Sequence, residues 1–408
     1  MLILHAQCVL SPESPDLPGG AVIVQNHKIL DHIPFFQARR RFPDARVIDL
    51  THCALVPGFI NAHTHLELTP LGGRNPYRGD FFVWVAGLTA ARFEFETSLD
   101  TVLAEACDQS LKAGVTTVGD ICFRHRAWSH LAKQPIRKVS FAEVFGITAD
   151  MDSPRQYLLK CLDQTQTDDL LTLGISPHAP YSAAPHVFAA AAQIASDNHL
   201  PLTTHLAETT DEIEFLTTGA GKCLDYLHRI HRWDGSFLCP RRTPVDYFLS
   251  LDLPAYPFLL AHVNYLTDEE LHALSQTTHS VAYCPRSHRF FRHPPHPFQK
   301  MLAAGINVCL GTDSLASNQT LSILDEIRFL HREYPNFPPK TLLNMATVNG
   351  AAALLMPNKI GVIAPDYYAD LIAIPLTQSH LDPLIDLLTS SYQPTFTMVA
   401  GRILYHVK

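Results

Sequence analysis

The chain has 408 residues, 47% of them hydrophobic and 17% charged, with a net charge of −8. That composition excludes a disordered chain and leaves room for a large core, in one big domain or two. The negative balance and the lack of a Lys/Arg block argue against nucleic acid as a partner.

The nine cysteines are odd in number and contain no Cys-x-x-Cys. Reduced thiols in a cytoplasmic protein fit that pattern better than a disulfide framework or a zinc knuckle. The start, Met1-Leu2-Ile3-Leu4-His5, lacks the basic and apolar regions of a signal peptide, and no apolar run approaches a membrane span. The expected partner is therefore a small molecule, not a membrane, and a homo-oligomer is compatible with the composition.

Residues 1–53 read as short strands, with Leu2-Ile3-Leu4, Ala21-Val22-Ile23-Val24 and Arg46-Val47-Ile48-Asp49-Leu50 as candidates. From 54 to 356, apolar strands alternate with helical stretches. The strand candidates are Leu55–Ile60, Thr116–Ile121, Val139–Phe145, Leu171–Ser176, Leu202–His205, Phe258–His262, Ser280–Cys284 and Ile306–Gly311. A helix from Ser98 to Ala113 stops at Gly114, and another opens on a capping box formed by Thr267 and Glu270. Eight strands alternating with helices point to an α/β fold, a (β/α)₈ TIM barrel. A doubly wound sheet is the alternative, weakened by the absence of Gly-x-Gly-x-x-Gly after an early strand. Residues 229–257, with Pro240, Pro244, Pro254 and Pro257, read as a long loop or lid. Strand signals return at Ala369–Ile374, Phe396–Ala400 and Arg402–His406, with Gly401 marking a hairpin turn. Residues 1–53 and 357–408 are expected to form one small composite β-sandwich domain beside a barrel of 54–356.

Metal-type residues recur where the strands end. His63 and His65 close the first barrel strand, His205 the fifth and His262 the sixth, while Asp313 follows the eighth. Taken singly, a buried histidine is more often a packed core residue and an Asp before Ser a turn. Five together at the end where barrel active sites lie outweigh those bland readings.

Four segments then resemble a known group: Pro57-Gly58-Phe59-Ile60-Asn61-Ala62-His63-Thr64-His65, His205-Leu206-Ala207-Glu208, Ala261-His262-Val263-Asn264-Tyr265 and Leu310-Gly311-Thr312-Asp313-Ser314. They look like the amidohydrolase superfamily in its cytosine-deaminase-like and chlorohydrolase-like branch. Cys284-Pro285-Arg286-Ser287-His288 and Ser314-Leu315-Ala316-Ser317-Asn318 look most like the proteins grouped with aminofutalosine deaminases. One departure is Asp366, where the family usually has Gly after Pro.

The resemblance implies that His63, His65, His205 and Asp313 hold one divalent metal, with zinc the default and iron or manganese the alternatives. Such an ion lowers the pKa of bound water to about 7, giving hydroxide at neutral pH. Glu208 would shuttle protons to a ring nitrogen, Asp313 would accept the proton of the water, and His262 would orient the hydroxide. The modified Lys of a binuclear centre would sit in Leu171–Ser176, which contains none. His178 would contact the substrate, Trp84 would wall the pocket, and Arg286, after the seventh strand, could meet a substrate carboxylate with two hydrogen bonds. The activity implied is hydrolytic removal of an exocyclic amine from a purine-like nucleoside, with aminofutalosine one candidate. A chlorohydrolase or cyclic-amide hydrolase of the same superfamily is the alternative, and a barrel that has lost catalysis and serves as a scaffold ranks below both.

Overall fold

The computed structural model describes residues 1–94, 98–123, 125–147, 154–163, 168–377 and 382–407. The N-terminal strands are β1 (Leu2–Val9), β2 (Leu17–Pro18), β3 (Gly20–Gln25), β4 (Lys28–Pro34) and β5 (Arg46–Pro57). Eight strands follow: β6 (Phe59–Thr64), β7 (Val115–Phe123), β8 (Arg137–Val144), β9 (Leu171–Pro177), β10 (Thr203–Leu206), β11 (Leu259–His262), β12 (Ser280–Tyr283) and β13 (Asn307–Leu310). The chain ends with β14 (Leu371–Pro375), β15 (Phe396–Val399) and β16 (Arg402–His406).

Strands β6 to β9 pair in parallel, and so do β10 to β13. Bridges Ile175–Leu202 and Thr64–Asp313 join the two groups at both seams, so the eight strands form the ring of a TIM barrel. Ile60, Ile121, Val139, Phe141, Leu259 and Cys309 pack together as one buried cluster of barrel-strand side chains. A larger apolar layer includes residues of the helix Leu99–Lys112, the helix Pro185–Asn198 and the helix Ile323–Glu333. These elements end as their residues dictate. Gly114 takes φ 77°, the left-handed conformation that stops a helix. Thr267 and Glu270 make the reciprocal capping box that opens the helix Asp268–Ser275.

The terminal strands combine in one sheet ordered β16-β15-β14-β5-β1-β3-β4, with β2 on β1. Here the expected first barrel strand is corrected. Leu55 and Val56 belong to β5, where Leu55 pairs with Val9 on one side and Ala373 on the other. The barrel strand starts only at Phe59. Gly58 lies between the two strands, and a Cβ there would lie 2.0 Å from the Thr116 hydroxyl. The expected loop at 229–257 is corrected as well. Thr243 precedes a short helix, Pro244–Leu249, whose Val245 and Phe248 are buried. Pro244, taken as a loop signal, is a first-turn proline, where its missing N–H costs nothing. Asp366 takes φ 70°, the left-handed region a glycine would favour. No helix among the described residues is long and apolar enough to cross a membrane.

Candidate active site

His63 lies inside β6 and is completely buried. Its ring stands edge-on to those of His65, His205 and His262, with centroids 5.2, 5.0 and 5.2 Å away. His205 Nδ1 is 3.0 Å from the His178 carbonyl oxygen. A carbonyl only accepts, so His205 carries its proton on Nδ1 and turns the Nε2 lone pair toward His65 Nε2, 3.4 Å away. Asp313 Oδ1 lies 3.7 Å from His65 Nε2, while its Oδ2 accepts from the Ser287 and Ser317 hydroxyls at 2.7 and 2.8 Å. Both ring nitrogens of His63 are buried with no hydrogen-bond partner among the described residues. An unsatisfied buried polar atom costs about 1–3 kcal/mol, which a cation would offset. The ligand atoms of His63, His65 and Asp313 lie within 4.8 Å of one another, as do those of His63, His205 and His262. Imidazoles plus one carboxylate are a donor set suited to a divalent transition metal.

Burial sets the protonation states. It holds the His63 imidazole well below 6.5, reinforced by His205, His262 and His65. His205 is pushed down to about 4 by burial. Glu208, 3.6 Å from His262 Nε2, is driven well above the usual carboxyl range by burial, with Asp313 and Glu212 adding repulsion. Asp313 is raised by burial against the opposing pull of Ser287 and Ser317. The backbone is strained at the same place. Ala207, His262 and Asp313 take φ values of 50°, 75° and 57° without being glycine. Such residues cost roughly 1–3 kcal/mol each and persist only where surrounding contacts over-determine them.

The amidohydrolase family model matches residues 54–404, which contain every residue of this constellation. The chain belongs to the amidohydrolase family. It is 28% identical to a 5-methylthioadenosine/S-adenosylhomocysteine deaminase of Nitratidesulfovibrio vulgaris, over 99% of this chain and 92% of the relative. Among solved structures, a zinc-bound adenosine deaminase from Xanthomonas campestris superposes with a TM-score of 0.82 at 25% identity, covering 99% of this chain and 93% of that one. Helicobacter pylori aminofutalosine deaminase in complex with methylthio-coformycin superposes with a TM-score of 0.87 at 23% identity, covering 99% and 100%.

In this amidohydrolase the three residues expected to touch substrate have different surroundings. His178 follows β9, stacks on Phe145 at 4.6 Å, meets the Ser182 hydroxyl through Nδ1 and turns Nε2 toward Glu143, 3.8 Å away. Trp84 sits in the helix Phe81–Glu94, donates its ring N–H to the Asn75 carbonyl at 2.8 Å and packs edge-on against Phe291. It belongs to a buried aromatic cluster with Phe81, Phe82, Tyr181 and Tyr226. The Arg286 guanidinium is committed elsewhere, to Thr320 at 2.9 Å and Gln319 at 3.0 Å, with Asp325 at 3.8 Å.

Sequence reasoning missed the residues that hold the site. Glu212 accepts from the amides of Ala207 and Glu208 at 3.2 and 2.8 Å, and burial lifts its carboxyl to about 7. Asn264 donates to the Glu208 carbonyl at 2.9 Å. A signal for Glu212 was present in Thr209-Thr210-Asp211-Glu212, the spacing of a helix start, and Thr209 does cap that helix. Ser287 and Glu143 carry no such local signal.

Proposed function

We propose that the protein is a hydrolytic deaminase that replaces the exocyclic amine of a purine-like nucleoside with oxygen, using one divalent ion, zinc by preference. His63, His65, His205 and Asp313 would hold the ion. The observation that carries this reading is a cluster of buried histidines and Asp313 with its ligand atoms close together, beside a buried Glu208 whose carboxyl is raised by burial. The ion, when bound, supplies a Lewis acid that makes water nucleophilic at neutral pH. Glu208 would give a proton to a ring nitrogen of the substrate, since burial raises its carboxyl and favours the protonated form. His262, packed against Glu208, orients the attacking oxygen. Asp313, with one carboxylate oxygen fixed by two serine hydroxyls, accepts the proton that the water gives up. The proton taken by Asp313 then passes to the amine as the C–N bond breaks, so that a C–O bond forms, ammonia leaves, and the remaining hydroxyl proton returns to Glu208.

The nucleoside class is supported by the relatives, whose names place them on adenine-bearing substrates. His178 and the aromatic cluster around Trp84 are assigned to substrate contact. None of the nine cysteines is in a disulfide among the described residues, and eight are buried, which suits a reducing cytoplasm.

The test is a panel of adenosine, 5-methylthioadenosine, S-adenosylhomocysteine and aminofutalosine with zinc-supplemented protein, read by ammonia and by the ultraviolet change on forming hypoxanthine. At least one nucleoside should react, and elemental analysis should find about one metal per chain. No ammonia from any nucleoside, with chloride released from a chlorinated triazine, would overturn this reading for a chlorohydrolase.

A further inference from the structure

His262 closes β11 with φ 75°, and Val263 follows at φ 49°. Both conformations are disfavoured for these residues, most of all for the β-branched valine. Several hydrogen bonds hold the turn. The Val263 amide donates to the carbonyl of Leu206, at the end of β10, at 2.9 Å and to that of Ala261 at 3.2 Å, the Asn264 amide donates to the Ala207 carbonyl at 3.0 Å, and the Asn264 side chain to the Glu208 carbonyl at 2.9 Å. A further bond comes from another element: His296 Nε2 lies 2.8 Å from the carbonyl oxygen of His262 itself. That oxygen can only accept, so the His296 proton is on Nε2.

His296 is 5% exposed, and its ring stacks on Tyr283 of β12 at 3.9 Å with 16° between planes. Its other nitrogen, Nδ1, is buried with no hydrogen-bond partner among the described residues. A phenyl ring would fill the same space and stack the same way without an orphaned acceptor. What the imidazole adds is the single N–H directed at His262.

We propose that His296 is a positioning residue: its bond to the His262 carbonyl locks the left-handed turn that aims the His262 imidazole at Glu208. The proposal rests on the deaminase reading for its catalytic half, while its structural half stands independently. His296→Phe keeps the stacking and removes the donor. His296→Gln restores an N–H of similar reach.

In His296→Phe, kcat should fall roughly 10- to 100-fold, the usual range for removing a group that orients an active-site residue. KM, metal content and melting temperature should change little, and His296→Gln should recover much of the loss. Unchanged kcat in the Phe variant would overturn the proposal. So would equal losses in both variants accompanied by a lower melting temperature, which would mark His296 as a packing residue. Amide hydrogen exchange across 258–266 gives a readout that does not need turnover. Val263 and Asn264 should exchange faster in the Phe variant than in wild type, and unchanged protection would overturn the anchoring. A wild-type protein inactive on every nucleoside would instead sink the deaminase reading, and the exchange measurement would still decide the anchor.

Discussion

At the N-terminal end of β8, Arg137 grips Asp370 with two hydrogen bonds, 2.6 and 3.1 Å long, and both side chains are almost fully buried. Tyr368 lies under the guanidinium at 4.3 Å, and the Ala400 amide donates to the same carboxylate. The next residue, Lys138, bonds the Gln134 carbonyl and Asp168. At the C-terminal end of the barrel, buried groups of equal polarity are treated differently. Four imidazoles crowd together, His63 has no partner for either nitrogen among the described residues, and Glu208 has two other carboxyl groups for neighbours. The first end consists of opposite charges already matched, so it ties the terminal sheet to the barrel. The second consists of imidazoles and a carboxyl that burial biases toward their neutral forms, a donor set suited to a cation. One end is finished by folding, and the other by its ligand.

This contrast can be broken by mutation. The largest effect is expected at Glu208. Glu208→Gln preserves the shape and the neutral form that burial favours, so metal content and melting temperature should hold. Turnover should fall about 10²- to 10⁴-fold, because an amide cannot shuttle a proton. Steady-state rates on the best nucleoside check this, and near-normal turnover would assign the proton route to another group.

At the other end the same kind of change should act on stability. Arg137→Met leaves Asp370 buried without its cation, which costs about 3–5 kcal/mol. Urea unfolding should show that loss, while kcat per folded molecule stays close to wild type. A loss under about 1 kcal/mol would mean that the pair is solvated enough to be dispensable.

A third test concerns Glu326, a buried carboxyl that has partners and is still perturbed. Asn318 donates to one oxygen and the Arg286 amide to the other, yet burial raises the group from 4.5 to about 8. The folded state therefore binds a proton that the unfolded chain has released. Its contribution is complete below about pH 4.5 and is lost as pH rises through about 8. Stability should decline over that window, and Glu326→Gln should flatten the decline. Melting curves between pH 5 and 9 measure both slopes, and identical slopes would remove Glu326 as the cause.

Much of this molecule was legible in one dimension. The eight barrel strands announced themselves through apolar runs, Gly114 and the Thr267 capping box through local backbone chemistry, and the ligand-type residues through their recurrence at strand ends. Each of these signals is complete within a few residues, because strand alternation, helix capping and turn preference act over that range. Other features were set only by tertiary contact. Leu55 suits either sheet as an apolar residue, and its pairing with Ala373 placed it in the terminal one. Arg286 looked free to meet a substrate until the fold brought Thr320 and Asp325 to its guanidinium. The bond from His296 to His262, and the two serines on Asp313, join residues that are neighbours only because parallel strands return to the same end of the barrel. Residue type and spacing determine which chemistry is available; the ring closure of β6 to β13 decides which groups are near enough to share it.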